Sequence, residues 1–249
     1  MKNILIALLI IICFANMNAA DSKSDKFNVI YDRALALSDQ NDYISAMDVL
    51  DSALQLDSNN YNGIYLKGQI LVQIAENFNA IELFQKLIKL SPDKGDPLVE
   101  IAMIYNTLQK YDSALKYIDL SLKVEPKNAI FNNNKGFILF SKGDYKAATL
   151  AYSKAIGYDN KNYLFFNNRG LSKYNLDDYK GALEDLNYAL KITTVQDPLI
   201  YYYRGLTNLK LKNDSEACKD FEESAKLGEK EAETAIAEYC NKKSTEKKK

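Results

Sequence analysis

Histidine and tryptophan are absent from the 249 residues of the chain, and proline occurs only four times. Without histidine the chain lacks the base of Ser–His and Cys–His catalysis, and it has no imidazole for binding metals or sensing pH. Cysteine is also scarce, with three residues. Apolar material is plentiful, because 47% of the residues are hydrophobic and 18 are tyrosines. This composition suffices for a core and excludes a disordered chain.

The first twenty residues predict a secretory signal peptide. An apolar stretch from Ile4 to Ile12 is followed by the small residues Ala19 and Ala20. The stretch is shorter than the about 20 apolar residues that span a bilayer, which argues against a retained anchor, although that alternative stays open. Ile10–Ile12 precede Cys13, where a lipidated cysteine needs small residues, and this argues against a lipoprotein. We therefore expect an exported protein, periplasmic or secreted, with no membrane span after cleavage.

Charge separates the body of the chain from its C-terminal end. Residues 242–249 contain five lysines and one glutamate, a net charge of +4. The whole chain carries −1, so residues 21–241 carry −6 once Lys2 and residues 242–249 are subtracted. An acidic body without a basic stripe argues against nucleic-acid binding. We expect residues 242–249 to be a disordered, solubilising tail, and its contact with an anionic surface stays open as an alternative.

Three series of residues recur along the chain with the same period and at fixed offsets from one another. Small residues stand at steps of 34, 34, 34, 34 and 35, at Ala34, Gly68, Ala102, Gly136, Gly170 and Gly205. An alanine follows each of them twelve residues later, and a large apolar residue follows that alanine after four more. Each copy contains two segments with helical periodicity that are joined by a short polar turn such as DQND or SKGD. Each copy therefore predicts a helical hairpin, which is too small to bury its apolar face alone.

These positions resemble the tetratricopeptide repeat (TPR), which has a small residue at position 8, alanine at 20, a large apolar residue at 24 and proline near 32. Pro92 and Pro126 stand at the last of these positions. The resemblance implies an all-α fold, an α-solenoid of six hairpins in a right-handed superhelix with a C-terminal capping helix. The units are 27–60, 61–94, 95–128, 129–162, 163–196 and 198–231. The remaining segments are a signal peptide over 1–20, a linker over 21–26, the capping helix over 232–241 and the lysine-rich tail over 242–249.

The glycines of the first series are interpreted as architectural. Glycine inside a helix costs about 1 kcal/mol relative to alanine, so close packing between the two helices of a hairpin must offset that cost. A phosphate-binding loop would need a preceding strand, and the sequence predicts none.

A basic residue recurs at position 7, directly before the small residue of five units. We compared it with the acidic residues at positions 22 and 23 on the second helix of the same unit. The comparison predicts ion pairs of Arg33 with Asp48, Lys67 with Glu82, Arg169 with Glu184 or Asp185, and Arg204 with Asp220. Lys135 has no acid at those positions. Pairs of this kind, if exposed, contribute about 0–1 kcal/mol.

The resemblance implies that the first helices line a concave groove that binds an extended peptide or a helix. In the first three units the groove positions are largely polar, with Asn28, Tyr31, Gln69, Gln73, Asp96 and Asn106. In the last three they mix amide, aromatic and apolar groups. The partner-binding candidates are Asn133, Phe137, Phe140, Asn167, Asn168, Leu171, Tyr174 and Tyr202. The alternative, that these residues only pack against the neighbouring unit, stays open.

Two cysteines remain after signal cleavage, Cys218 and Cys240. They stand on adjacent predicted helices at the C-terminal end of the solenoid. In an oxidising compartment they can form a disulfide that fixes the cap, and two free buried thiols are the alternative.

The sequence predicts no catalytic residues, no metal site and no cofactor. Paired acids such as Asp177 and Asp178 stand in turns or on solvated helix faces, where nothing buries them as catalysis would need. We therefore expect a non-enzymatic scaffold or adaptor of a bacterial cell envelope that binds another protein. Two alternatives stay open, an assembly factor or chaperone for envelope clients and a purely structural brace.

Overall fold

The structure is a computed structural model that describes residues 23–241. The predicted signal peptide, residues 21–22 of the predicted linker and the lysine-rich tail lie outside the described residues. Between residues 23 and 241 the chain contains helices and no strand. The helices are α1 (23–39), α2 (Tyr43–Leu56), α3 (Tyr61–Gln73), α4 (Asn77–Leu90), α5 (Asp96–Thr107), α6 (Tyr111–Val124), α7 (Ala129–Ser141), α8 (Tyr145–Tyr158), α9 (Tyr163–Tyr174), α10 (Tyr179–Ile192), α11 (Pro198–Lys210), α12 (Asp214–Lys226) and α13 (Lys230–Ala235).

The all-α class and the six hairpins with a C-terminal cap are confirmed. The odd-numbered helices α1 to α11 are the first helices of the hairpins, and the even-numbered helices are the second. Residues 23–26, which the sequence analysis assigns to a linker, are part of α1. Phe27 explains this extension, because its ring is buried and stacks on Tyr31, one helical turn away, at 5.9 Å between ring centroids.

The described residues form two compact units, and the division falls within α5, between Ile104 and Tyr105. In the first unit α3 packs against both α2 and α4. In the second unit each helix from α6 to α13 packs against the next one along the chain. Each of the first helices α3, α7, α9 and α11 therefore contacts the second helix of its own hairpin and that of the hairpin before it.

The helix ends follow the repeat. Each hairpin turn has one residue at position 15 in the left-handed region, with φ between 57° and 86°: Asn41, Ala75, Gln109, Gly143, Asp177 and Lys212. Most of the helices have an asparagine or aspartate as N-cap, whose side chain accepts a hydrogen bond from a backbone N–H of the first turn. These N-caps are Asp42, Asn60, Asn128, Asp144, Asn162, Asp178 and Asp197. Such caps satisfy backbone donors that have no partner inside the helix.

The architectural interpretation of the glycines agrees with their surroundings. A Cβ atom added to Gly136 would lie 2.6 Å from Cε1 of Tyr152, at position 24 of the same hairpin. Gly68 and Gly205 face Phe84 and Phe221 at similarly short distances of 2.7 and 2.6 Å. Aromatic rings at position 24 thus leave no room for a side chain at position 8.

Gly170 is different, because position 24 of its hairpin is aliphatic. A Cβ atom there would lie 3.1 Å from Cγ of Leu186. In two other hairpins an aliphatic residue at position 24 is combined with alanine at position 8, in the pairs Ala34 with Leu50 and Ala102 with Ile118. The glycine at 170 is therefore not required by the packing.

We expect Gly136→Ala to lower the free energy of unfolding by about 2 kcal/mol. The added methyl group overpacks the buried Tyr152 ring, and this cost exceeds the gain of about 1 kcal/mol in helix propensity. Gly170→Ala, the matched control, should leave stability unchanged or raise it by up to about 1 kcal/mol. Tyr152→Leu in the Gly136→Ala chain should recover part of the loss. Urea unfolding monitored by circular dichroism measures all three, and equal losses for the two glycine variants would contradict the argument.

Two of the three arginines at position 7, Arg169 and Arg204, form their predicted ion pairs. Arg169 donates from Nε and Nη2 to Asp185 at 2.8 and 2.7 Å, and Nη2 of Arg204 lies 2.5 Å from Oδ1 of Asp220. Each arginine also reaches the second helix of the preceding hairpin, where Arg169 Nη1 donates to Ser153 Oγ at 3.1 Å and Arg204 Nη1 donates to Asn187 Oδ1 at 2.9 Å. The five donors of a guanidinium group make this double contact possible.

The lysines at position 7 pair differently from the prediction. Lys67 pairs with Asp51 rather than with Glu82, and Lys135, for which no partner was predicted, pairs with Asp119 at 2.7 Å. Both acids stand on the second helix of the preceding hairpin, sixteen residues before the lysine. The reason is that the residues sixteen positions after the lysines are apolar, Leu83 and Ala151.

The first hairpin contradicts the prediction in another way. Among the described residues Arg33 forms no ion pair with Asp48. The residue sixteen positions after Arg33 is Val49, and α1 has no preceding hairpin among the described residues.

The C-terminal cap begins two residues before its predicted start. Helix α13 continues as a π-helical turn over Ile236–Cys240. Ala232 and Ala235 of α13 are buried against Ala217 and Phe221 of α12. A disulfide joins Cys218 to Cys240, with their Cα atoms 5.8 Å apart, and so fixes the end of the π-helical turn to α12.

Candidate functional site

The predicted partner-binding residues lie on three first helices of the second unit. Asn133, Phe137 and Phe140 are on α7, Tyr202 is on α11, and the other four, Asn167, Asn168, Leu171 and Tyr174, are on α9. Helix α9 contacts both α7 and α11. We call the solvent-accessible surface of α7, α9 and α11 the first-helix face.

The side-chain amides of two predicted residues, Asn133 and Asn168, form a hydrogen bond across this face. Nδ2 of Asn168 donates to Oδ1 of Asn133 at 3.0 Å, and both side chains are half-buried. The bond links α9 to α7. It leaves the amide N–H groups of Asn133 and the carbonyl oxygen of Asn168 for other hydrogen bonds.

Apolar side chains are exposed beside these amides. Phe137 is 41% exposed on α7, and Leu199 on α11 is 45% exposed. A large apolar group in water is a common property of binding surfaces when polar groups that can form hydrogen bonds surround it. Phe137 is therefore accessible and stays a partner-binding candidate, and the exposed Leu199 belongs to the same face.

The other aromatic candidates are partly used in packing. The Phe140 ring lies 5.1 Å from that of Tyr145, and the Tyr174 ring lies 5.5 Å from that of Tyr179, both in edge-on contacts. Tyr202 packs on Phe221 at 5.9 Å. All three candidates are half-buried, as is Leu171, which packs against the core cluster around Leu186. For these four residues the structure shows contacts within and between hairpins, with only part of each side chain accessible.

Asn167 is buried rather than exposed. It is 9% exposed, and its Oδ1 atom has no hydrogen-bond partner among the described residues. A buried carbonyl oxygen without a partner costs about 1–3 kcal/mol. Asn167 is predicted from the sequence to face a partner, whereas in the structure its side chain is nearly inaccessible to solvent.

The hydroxyl groups of the accessible tyrosines remain protonated at neutral pH. Burial raises the pKa of Tyr174 above its ordinary value, and the neighbouring Tyr239 and Asp177 raise it further. Burial also raises the pKa of Tyr202, with smaller contributions from Tyr203 and Glu231. These hydroxyl groups can therefore donate hydrogen bonds to a partner.

A second candidate site, which the sequence analysis does not single out, lies on the first helices of the first unit. A cavity of about 360 Å³ opens there between residues of α1, α3 and α5 and Tyr43, the first residue of α2, and we call it the α3 groove. Its lining residues are Leu35, Ser38, Asp39, Tyr43, Leu66, Gln69, Ile70, Val72, Gln73 and Glu100. Apolar and polar groups alternate in this lining, and its two charged residues are both acidic.

Glu100 of α5 is held in the α3 groove by two side chains of α3. Oη of Tyr65 and Nε2 of Gln69 both donate to Oε1 of Glu100, at 2.6 and 3.1 Å. Burial and then the Glu100 charge raise the pKa of Tyr65 well above its ordinary value, so its hydroxyl stays a donor. Tyr65 and Glu100 are 35 residues apart, the same separation as Asn133 and Asn168. That shared separation is the sequence signal that could have found Glu100.

Neither a metal site nor a membrane-spanning helix is found in the described part of the chain. No group of three or more Cys, Asp and Glu side chains between residues 23 and 241 could hold a metal ion. In the same range the helices are too short or too polar to cross a bilayer.

The chain is similar in sequence to tetratricopeptide repeats. Residues 61–94 and residues 100–163 each match a family model described as a tetratricopeptide repeat. Anaphase-promoting complex subunit 3 of Schizosaccharomyces pombe is 28% identical over 109 residues, which cover 43% of this chain and 16% of that protein. The match thus spans less than a fifth of that relative's length.

Solved structures with the same fold cover most of the chain. A tetratricopeptide repeat protein from Parabacteroides merdae has a TM-score of 0.64 and 17% identity, over 86% of this chain and 83% of that one. PilW, described as a widely conserved type IV pilus biogenesis factor, has a TM-score of 0.73 and 17% identity, over 84% of this chain and 98% of that one. At these identities the similarity shows a common fold.

Proposed function

Because the chain is a tetratricopeptide repeat protein, we propose that it is a non-enzymatic interaction scaffold or adaptor in a bacterial cell envelope. Arrays of such hairpins present extended surfaces on which other proteins bind. The observation that carries the proposal is the first-helix face of α7, α9 and α11, which combines the exposed side chains of Phe137 and Leu199 with the hydrogen-bonded amides of Asn133 and Asn168.

The chemistry of this face suits an extended peptide or a helix of a partner protein. Phe137 and Leu199 offer apolar contacts, and the amide groups of Asn133 and Asn168 that their mutual bond leaves unused can pair with a peptide backbone. A peptide needs both, because its side chains seek apolar contacts while its N–H and C=O groups must stay hydrogen-bonded.

Two features support the envelope location. The sequence begins with a segment that has the pattern of a signal peptide, residues 1–20. Cys218 and Cys240 form a disulfide, and disulfides persist in oxidising compartments such as the periplasm. N-terminal sequencing of the chain recovered from envelope extract should find Ala20 or Asp21 as the first residue, and a chain starting at Met1 would contradict export with cleavage.

An assembly factor for other envelope proteins is the second candidate. The description of PilW as a pilus biogenesis factor favours it, since that chain is matched over 98% of its length. The third alternative, a structural brace, would not need the exposed apolar groups of the first-helix face.

The test is capture of proteins from the organism's own envelope extract by the immobilised mature chain, with identification by mass spectrometry. We expect Phe137→Ser and Leu199→Ser each to reduce the captured partner by about tenfold, because each removes an exposed apolar contact on the first-helix face. Leu150→Ser is the matched control, since Leu150 is 63% exposed on the second helix α8.

The control decides where the partner binds. Capture that survives Phe137→Ser and Leu199→Ser but fails with Leu150→Ser would move the interaction to the second helices and refute the proposed face. Capture that is the same for all three variants would refute an apolar docking surface of either kind.

A further inference from the structure

The α3 groove differs in charge from the first-helix face. Asp39 and Glu100 both line it, and none of its described lining residues is basic. On the face of α7, α9 and α11, in contrast, the candidate residues are amides, aromatics and a leucine. Two surfaces of the same chain therefore present different chemistry to whatever binds there.

Glu100 is positioned before any ligand arrives. Tyr65 and Gln69 both donate to Oε1, so the carboxylate has a fixed orientation and its second oxygen, Oε2, is left for a further donor. A group that is already ordered loses little conformational entropy when it binds, and this raises affinity. The hydrogen bonds from α3 thus orient the Glu100 carboxylate as an acceptor, and because Tyr65 and Gln69 are uncharged they leave its negative charge in place.

Negative charges lie in and next to the groove. Asp39 of α1 and Glu100 of α5 line it, and Asp96 stands one helical turn before Glu100 on α5. After burial, the charges of Glu100 and Asp96 both raise the pKa of Tyr65, which is consistent with two carboxylates near its hydroxyl.

The basic residues of the elements packed here are engaged or lie outside the lining. Lys67 of α3 is paired with Asp51 of α2, and Arg33 of α1, at position 7, does not line the cavity. The field in the groove therefore attracts cations.

Apolar side chains lie next to these carboxylates. Leu35, which is 38% exposed, and the half-buried Val72 belong to the same lining, and the cavity of about 360 Å³ is large enough for a long side chain. Lysine and arginine combine an apolar stem with a charged head, so they can cover the apolar residues and reach Glu100 at once.

We propose that the α3 groove binds a lysine or arginine side chain of an extended segment of a partner protein, with the cationic head on Glu100 and the stem along Leu35 and Val72. The proposal rests on the proposed function, because it assigns a preference for basic residues to one part of the interaction scaffold. It adds a second point of contact, in the first unit, where acidic groups of the chain bind a basic side chain of the partner.

A random library of displayed 12-residue peptides, selected on the mature chain, tests this preference. Peptides that bind should be enriched in lysine and arginine. Glu100→Gln should weaken their binding about tenfold in fluorescence anisotropy, because it keeps the size of the side chain and removes its charge. Tyr65→Phe, which removes a positioning hydrogen bond, should weaken it about threefold.

Glu82→Gln is the matched control for the change in net charge. Glu82 is exposed on the second helix α4 and does not line the groove. Its replacement should change binding by less than twofold. Circular dichroism of Glu100→Gln should match the unchanged chain, which separates lost binding from lost folding.

Four results would overturn the proposal. Selected peptides without basic enrichment, or with equal affinity for Glu100→Gln, would show that the groove has no cation site. If these selected peptides instead need Phe137 and Leu199 for binding, the proposed function survives and only this inference fails. A selection that recovers no binding peptide refutes both. A synthetic peptide of residues 241–249 that outcompetes every selected peptide would make the chain's own lysine-rich segment the occupant.

Discussion

Replacing Asp185 by alanine should lower the free energy of unfolding by about 3–5 kcal/mol, because it leaves cations without their buried partner. Asp185 is 4% exposed. It accepts two hydrogen bonds from Arg169, at 2.8 and 2.7 Å, and Nζ of Lys173 lies 2.8 Å from its Oδ2 atom. Without the carboxylate, two mostly buried positive charges on α9 face each other. Urea unfolding monitored by circular dichroism measures the loss.

Asp119→Ala is the matched control for this variant. Asp119 also pairs with a basic residue at position 7, Lys135, but its side chain is 51% exposed. Because solvent screens this pair, we expect a loss of about 0–1 kcal/mol. Equal losses for Asp185→Ala and Asp119→Ala would show that burial does not set the strength of these pairs. A double variant Arg169→Met and Asp185→Leu should be more stable than Asp185→Ala alone, since it removes one of the unpaired charges.

The hairpins, their turns and their glycines could be predicted because they depend on local periodicity. Position 8 and position 24 belong to one hairpin, so the close contact of Gly136 with Tyr152 follows from a spacing of sixteen residues within one unit. The helix ends follow from short-range capping by aspartate and asparagine. None of these features depends on how one hairpin packs against the next.

The ion pairs show where prediction from a single hairpin fails. The side chain at position 7 lies between the second helix of its own hairpin and that of the preceding hairpin, and its acidic partner stands on one or the other. Where the hairpin itself offers an aspartate, as at Asp185 and Asp220, the preceding hairpin has Ser153 or Asn187 in reach. Where it offers Leu83 or Ala151, the preceding hairpin supplies the acid, Asp51 or Asp119. A comparison restricted to one unit finds the first kind of pair and misses the second.

The candidate sites were harder to predict for the same reason. Which groove residues are exposed depends on the packing of neighbouring first helices, so Asn167 is buried while Phe137 of α7 is accessible. The contacts between α3 and α5 and between α7 and α9 both join residues 35 apart, in the pairs Tyr65–Glu100 and Asn133–Asn168. A search for complementary side chains at that separation would have found both pairs from the sequence.

Loss of the disulfide should free the C-terminal cap without unfolding the rest of the array. Cys218 and Cys240 are 22 residues apart, and closing a loop of this length contributes about 3 kcal/mol in the chain-entropy model. Each hairpin contacts mainly its neighbours, so the effect should stay local. In the variant Cys218→Ser/Cys240→Ser we expect amide hydrogen exchange in α13 to accelerate by about a hundredfold, with exchange in α7 to α9 unchanged.

The cap depends on this bond because it has little else to hold it. Helix α13 has six residues and the π-helical turn five, and helices this short are not stable alone. The side chains it buries against α12, Ala232 and Ala235, are small and so remove little apolar surface from water. Reduction of the unchanged chain should therefore reproduce the exchange of the double variant. Thiols that react with an alkylating agent before reduction would show that the bond is absent in solution.

Opening of the cap has a consequence for the last hairpin. Tyr202 packs against the cluster that contains Phe221, Ala232 and Ala235, and so it lies on the boundary between the first-helix face and the cap. When α13 detaches, the apolar surface that it covers on α12 becomes accessible next to Tyr202. Partner binding through Phe137, on the distant helix α7, should then keep its affinity, whereas any contribution of Tyr202 should change with the redox state of the chain. Measuring the Tyr202→Ser effect on captured partner with and without reductant separates the two.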